Sequence, residues 1–163
     1  MAFGTFQVLN PEDIAVRHNR KVDPVAILDP TAANALEQGE WLRPKDAVKK
    51  TLERHDAADA GPKLAYPVAS PKGSTDCQAL GRSEMYLVWD HALTTCYDGT
   101  ASYDEGTPLK VNQVAIGGQN YSVLVPADTD KDNVVAIVEN PPDTPTEYTP
   151  MRITSAKFTL SIA

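Results

Sequence analysis

Apolar positions in this chain come in short runs, and most runs end on a turn signal. Phe6-Gln7-Val8-Leu9 leads into Asn10-Pro11-Glu12-Asp13, and Val25-Ala26-Ile27-Leu28 into Asp29-Pro30; both read as extended segments closed by turns. Ala32, Ala33, Ala35 and Leu36 favour a short helix near residues 31–38, with Thr31 or Asp29 to cap it and Gly39 where helices stop. Glu40-Trp41-Leu42 reads as a strand closed by Pro44. Residues 46–56 have a helical spacing, with Val48 and Leu52 four apart and Lys49 and Glu53 on neighbouring turns. Residues 57–75 are rich in Ala, Pro, Gly and Ser, and Tyr66-Pro67-Val68 is the strand expected there.

From Met85 onward the pattern turns to β. Met85-Tyr86-Leu87-Val88-Trp89 is a compact apolar run, and Thr94-Thr95-Cys96-Tyr97 ends at Asp98-Gly99, a pair with a strong hairpin preference. Leu109-Lys110-Val111 and Val114-Ala115-Ile116 reach Gly117-Gly118, and the chain returns through Tyr121-Ser122-Val123-Leu124-Val125. Two glycines supply the positive φ values of a tight turn, so a hairpin is expected here. Val134 to Val138, Arg152-Ile153-Thr154 and Phe158 to Ile162 are the remaining strands. The chain is therefore expected to be mainly β. An extended N-terminal arm would cover residues 1–42, a linker or short helix 43–63, and a small antiparallel β-barrel or sandwich 64–163.

Composition narrows the function classes. The chain has 163 residues, 42% of them hydrophobic, with 13 prolines and 7% aromatics, which fits one core with many turns. Net charge is −7. The densest basic stretches, Arg17-His18-Asn19-Arg20-Lys21 and Lys45 to Arg54, are bordered or interrupted by acidic residues. Phosphate binding needs clustered Lys and Arg, so no nucleic-acid partner is expected. No apolar run reaches the length of a membrane span and the first residues lack a signal-peptide pattern, so no membrane partner is expected and a cytoplasmic site of synthesis is. Cys77 and Cys96 are expected as thiols.

Asp128, Asp130, Asp132 and Glu139 hold positions one, three, five and twelve of an EF-hand loop. Asn133 stands where that loop wants Gly, and the β-patterned flanks would carry Glu139 away from the aspartates, so a solvated acidic turn is the favoured reading. His91 lies near Cys96, but no nucleophile-elbow pattern or third orienting group accompanies them. Ser74-Thr75-Asp76 reads as turn chemistry. Gly117-Gly118 lacks the lysine and helix of a phosphate loop, and Asn120-Tyr121-Ser122 spells a glycosylation acceptor that matters only after secretion. No catalytic residue and no cofactor is expected.

Three stretches carry a resemblance. They are Val8-Leu9-Asn10-Pro11-Glu12-Asp13-Ile14 continuing through Arg17 to Pro24 and into Leu36 to Leu42, Tyr103 to Val111, and Val134 to Pro142 with the ending through Arg152-Ile153. Together they resemble the small head decoration (cement) proteins of tailed bacteriophages. The resemblance implies a small β domain with an N-terminal arm, a homotrimer or dimer bound to the major capsid protein on the outside of the virion, and no enzymatic activity. The residues agree in kind: an arm with short apolar runs gains stability only by lying on another surface, either a neighbour's sheet edge or its own domain. Phe3, Phe6, Trp41 and Trp89 are the expected interface anchors, because large aromatics carry interface energy. The alternatives are a minor neck, tail or fibre-attachment protein, a small calcium- or carbohydrate-binding β module, and a cysteine enzyme around Cys96 and His91.

Overall fold

The computed structural model describes residues 3–9, 22–28, 36–46, 51–55, 65–69, 82–86, 89–127 and 133–156. These residues form β1 (Phe6–Leu9), β2 (Val22–Leu28), β3 (Trp41–Asp46), β4 (Thr51–Arg54), β5 (Tyr66–Pro67) and β6 (Arg82–Met85). They continue as β7 (His91–Thr94), β8 (Pro108–Ile116), β9 (Gln119–Pro126), β10 (Ala136–Asn140) and β11 (Met151–Ser155), with a 3₁₀ turn at Pro145–Glu147. The protein is mainly β, as the alternation and turn chemistry imply.

Two sheets result. The six-stranded sheet has the order β1-β7-β11-β10-β8-β9, with every neighbouring pair antiparallel. The five-stranded sheet has the order β5-β3-β4-β2-β6 and contains one parallel pair, β2 with β4. Its two outer strands come together where Val68 bridges Met85 and the Tyr86 N–H donates to the Pro67 carbonyl at 3.0 Å. One bridge curls this sheet without making a ladder, so the architecture is sandwich-like and not a closed barrel.

The β8–β9 hairpin forms where the glycine pair stands. Ile116 pairs with Gln119, and the two turn residues Gly117 and Gly118 have φ values of 60° and 85°. A side chain at either position would meet open space, so the requirement is conformational: two successive left-handed residues match the twist of the strands they join.

Four local expectations are corrected. Thr51–Arg54, within the expected helix 46–56, is strand β4, whose Leu52 points inward while Glu53 pairs with Arg43 of β3 at 2.8 Å. Pairing with β3 overrides the weak i, i+4 signal. Pro44 does not close β3; it sits at a register irregularity inside it, a place where a missing N–H is tolerated. Asp98-Gly99 turns the chain but makes no hairpin, because Tyr97 bridges Leu124 in parallel and the Asp98 carboxylate accepts from the Thr100 N–H at 2.9 Å. At the end of the expected helix 31–38, Leu36 to Gln38 are not helical, and Gly39, at φ 90°, completes a tight turn. Residues 31–35 and the expected strand 158–162 lie outside the described residues.

The core has three parts. The inner face of the six-stranded sheet packs Ala92, Leu109, Val111, Ala136, Val138, Met151 and Ile153 against the aromatics Phe6, Trp41, Trp89, Tyr97 and Tyr103. Leu36, Leu42, Leu52 and Val68 fill the curl of the five-stranded sheet. Neighbours Trp41 and Leu42 thus face different cores, so the start of β3 is buried on both sides. The third part covers β9 with Cys96, Tyr121, Val123 and Val125.

Candidate functional site

Two polar nodes stand out. The first is Glu40, fully buried just ahead of β3. Its Oε1 accepts from Arg54 Nε at 2.8 Å and from the Ser122 N–H at 3.0 Å. Its Oε2 accepts from the Glu37 N–H at 2.6 Å and from Arg54 Nη2 at 3.3 Å. Arg54 belongs to β4 of one sheet and Ser122 to β9 of the other, so a single carboxylate ties the sheets together. The Ser122 hydroxyl adds a second tie by donating to the His55 carbonyl at 2.8 Å. Ser122, His55 and Glu40 are residue types of a catalytic triad, yet each of these ties to Ser122 and His55 runs to a backbone group. The arrangement holds backbone; it does not activate the Ser122 hydroxyl.

The node also covers a sheet edge. Among the described residues no strand lies beyond β9, and two of its outward N–H groups are taken, Ser122 by the Glu40 carboxylate and Leu124 by the Cys96 carbonyl 3.1 Å away. An unpaired edge is a template for unwanted pairing, and these two bonds cover the middle of this one.

The second node is half exposed. Glu139 sits at a register irregularity in β10, where a bulge re-aims its side chain. Its carboxylate accepts from Arg152 Nε at 2.6 Å and contacts the Thr154 hydroxyl and His91 Nδ1. Three adjacent strands, β10, β11 and β7, are clasped through it. Burial alone would raise the carboxyl, but the hydrogen bonds from Thr154 and Arg152 and the charge of His91 outweigh it, and the pKa lies below the ordinary glutamate value. A depressed folded-state pKa stabilises above the unfolded value, and that contribution is lost as pH falls through the folded one. Glu139→Gln should therefore melt below the parent at neutral pH, and the gap should close as pH falls below about 4. Paired melts from pH 7 to pH 3 check this; a gap independent of pH would show that ionisation of Glu139 contributes nothing.

The sequence candidates fall as follows. Asp128, Asp130 and Asp132 lie outside the described residues, while Glu139 is engaged by Arg152, His91 and Thr154. Among the described residues no group of three or more His, Cys, Asp or Glu side chains is placed to hold a metal ion. His91 bonds Glu139 on the six-stranded sheet, whereas Cys96 lies beyond the end of β7, fully buried. Burial, with the nearby charges of Glu40 and Glu37, pushes its thiol well above the usual value, the opposite of what a nucleophile needs. Cys96 should resist iodoacetamide at pH 8 in the native protein and react fully in denaturant, read by peptide mass spectrometry; rapid native labelling would contradict its burial.

Of the four expected anchors, Phe6, Trp41 and Trp89 are 3%, 1% and 6% exposed and pack on one another inside this chain. Ring centroids lie 5.4 Å apart for Phe6–Trp89, 6.1 Å for Trp41–Trp89 and 6.2 Å for Phe6–Trp41, all edge-on. Within one chain these three side chains face one another and not solvent, so they are core residues here and not exposed anchors. Phe3 stays half exposed, edge-on to Tyr121 and Tyr148 at 5.1 and 5.2 Å. No motif marks Glu40, a lone Glu beside Trp41, and Ser122 stands out in the sequence only as the end of the Asn120-Tyr121-Ser122 triplet.

Comparison with protein-family models, curated protein sequences and solved structures gave no match. Among the described residues no helix is long and apolar enough to cross a membrane.

Proposed function

We propose that this chain is a structural, non-enzymatic virion protein that binds the outer surface of a phage head and stabilises it, with the major capsid protein and further copies of itself as partners. The observation that supports this reading is the Glu40 node. A protein that holds neighbouring shell subunits together passes tension from one contact to another through its own body. Apolar packing between two sheets is non-directional, whereas a buried carboxylate bonded to both adds directional, charge-assisted bonds between them. The Glu139 clasp does the same across three strands. The acidic balance, −7 overall, suits a surface turned to solvent. Copy number tests the proposal: in particles of the virus that encodes the chain, quantitative densitometry should give a simple fraction of the shell protein. A handful of copies would move it to the neck or tail, and absence would overturn the proposal.

A further inference from the structure

Residues 3–9 behave as a ligand bound to a receptor made by the rest of the chain. The Thr5 carbonyl accepts from the Thr95 N–H at 3.2 Å and from the Thr94 hydroxyl at 3.0 Å, and the Thr5 N–H donates to Thr95 Oγ1 at 3.0 Å. β1 then pairs with β7 from Phe6 opposite Thr94 to Leu9 opposite His91. Phe6 enters the Trp41–Trp89 pocket and Phe3 lies on Tyr121 and Tyr148. Gly39 is moulded to the segment: a Cβ there would stand 2.9 Å from the Thr5 carbonyl oxygen and 3.2 Å from Phe6 Cβ.

Every one of these partners lies at or beyond residue 39. Among the described residues β1 is an edge strand with β7 as its one neighbour, so of the described ladders one has to open to release it. Residues 10–21 join β1 to β2, and a chain of that length reaches about 40 Å when extended, enough to pass from one small domain to the next. A second copy carries an identical ligand and an identical receptor. The contacts are the same within or between chains, so the balance is set by the effective concentration of neighbouring copies.

We propose that residues 3–9 are an exchangeable strand, and that when copies are crowded the segment of one seats on β7, Gly39 and the Trp41–Trp89 pocket of another. This goes beyond the shell-binding reading and needs no shell for its test. Gln7 and Leu93 are directly paired in the β1–β7 register; at such a site paired Cα atoms stand about 5.5 Å apart, within disulfide range. Purified full-length Gln7→Cys and an affinity-tagged Leu93→Cys, both in a Cys77→Ser background, are mixed at rising concentration, oxidised mildly and run on a non-reducing gel.

The expected result is a mixed-mass disulfide dimer that grows with concentration. It should exceed at least fivefold the product obtained when Glu105→Cys, exposed on another loop, replaces Leu93→Cys, and it should fall when Phe6→Ala is added to the Gln7→Cys chain. The Gln7→Cys/Leu93→Cys double variant at low concentration should close within single chains. Mixed product no greater than the control, alongside efficient closure within single chains, would overturn the exchange. Failure of the double variant to close would overturn it too, by removing the seat itself. Neither result bears on shell binding, which copy number decides.

Discussion

Glu40→Ala should cost about 3–5 kcal/mol of stability, the usual penalty for removing one partner of a buried ion pair. Arg54, with only 18% of its side chain exposed, would lose its bonds to this carboxylate, and so would the N–H groups of Ser122 and Glu37. For a chain of this size the melting temperature should drop by roughly 10 °C. The loss belongs to breaking the pair, not to the pair's net worth. Replacing both partners, as in Glu40→Leu/Arg54→Met, should therefore be markedly less harmful than Glu40→Ala. Urea unfolding followed by tryptophan fluorescence measures all three proteins. A loss below about 1 kcal/mol in Glu40→Ala would mean that water replaces the carboxylate and the node does not hold the sheets together.

Trp41→Ala should cost a comparable 3–5 kcal/mol through a cavity between Phe6 and Trp89. Trp41→Phe is the informative companion. Trp41 is 1% exposed, and among the described residues no group accepts from its Nε1–H. A buried donor without a partner costs about 1–3 kcal/mol, so Phe regains there part of what it loses in volume and should cost less than half as much as Ala. Thermal melts of the two variants decide it. If Trp41→Ala keeps parental stability but loses association with particles, Trp41 returns from the core to the interface.

What could be read from the sequence was set by chain-local physics. The Gly117-Gly118 hairpin is legible because two adjacent glycines between apolar runs have few other uses, and the strand character of Phe6–Leu9 and Tyr121 to Val125 follows from short apolar runs between turns, while Arg152-Ile153-Thr154 marks the middle of β11. β4 was misread because Val48 and Leu52 mimic a helix face, while the real constraint, pairing with β3, lies outside any local window. Trp41, Trp89 and Phe6 lie in the core of the single chain, and size alone does not separate a core aromatic from an interface one. Glu40 was invisible for a deeper reason. Its three partner residues come from positions 37, 54 and 122, and nothing in a charged residue's neighbours announces that its countercharge arrives from elsewhere in the fold. Glu139 and His91 were both noticed, but each was matched to a neighbour in sequence, and the structure pairs them with each other.

The bond between Thr5 and Thr95 spans 90 residues, which gives the protein a history as well as a shape. During synthesis β1 leaves the ribosome before its partner strand has been made. At 5–20 residues per second it waits roughly 5–20 s for Thr95 to appear. The β8–β9 hairpin, by contrast, closes within microseconds of its own completion. β1 therefore cannot take its place beside β7 until long after its own synthesis, whereas the hairpin needs only neighbouring residues. If residues 3–9 exchange between copies as proposed, that interval on a crowded polysome is when a nascent β1 would meet the finished receptor of a neighbouring chain.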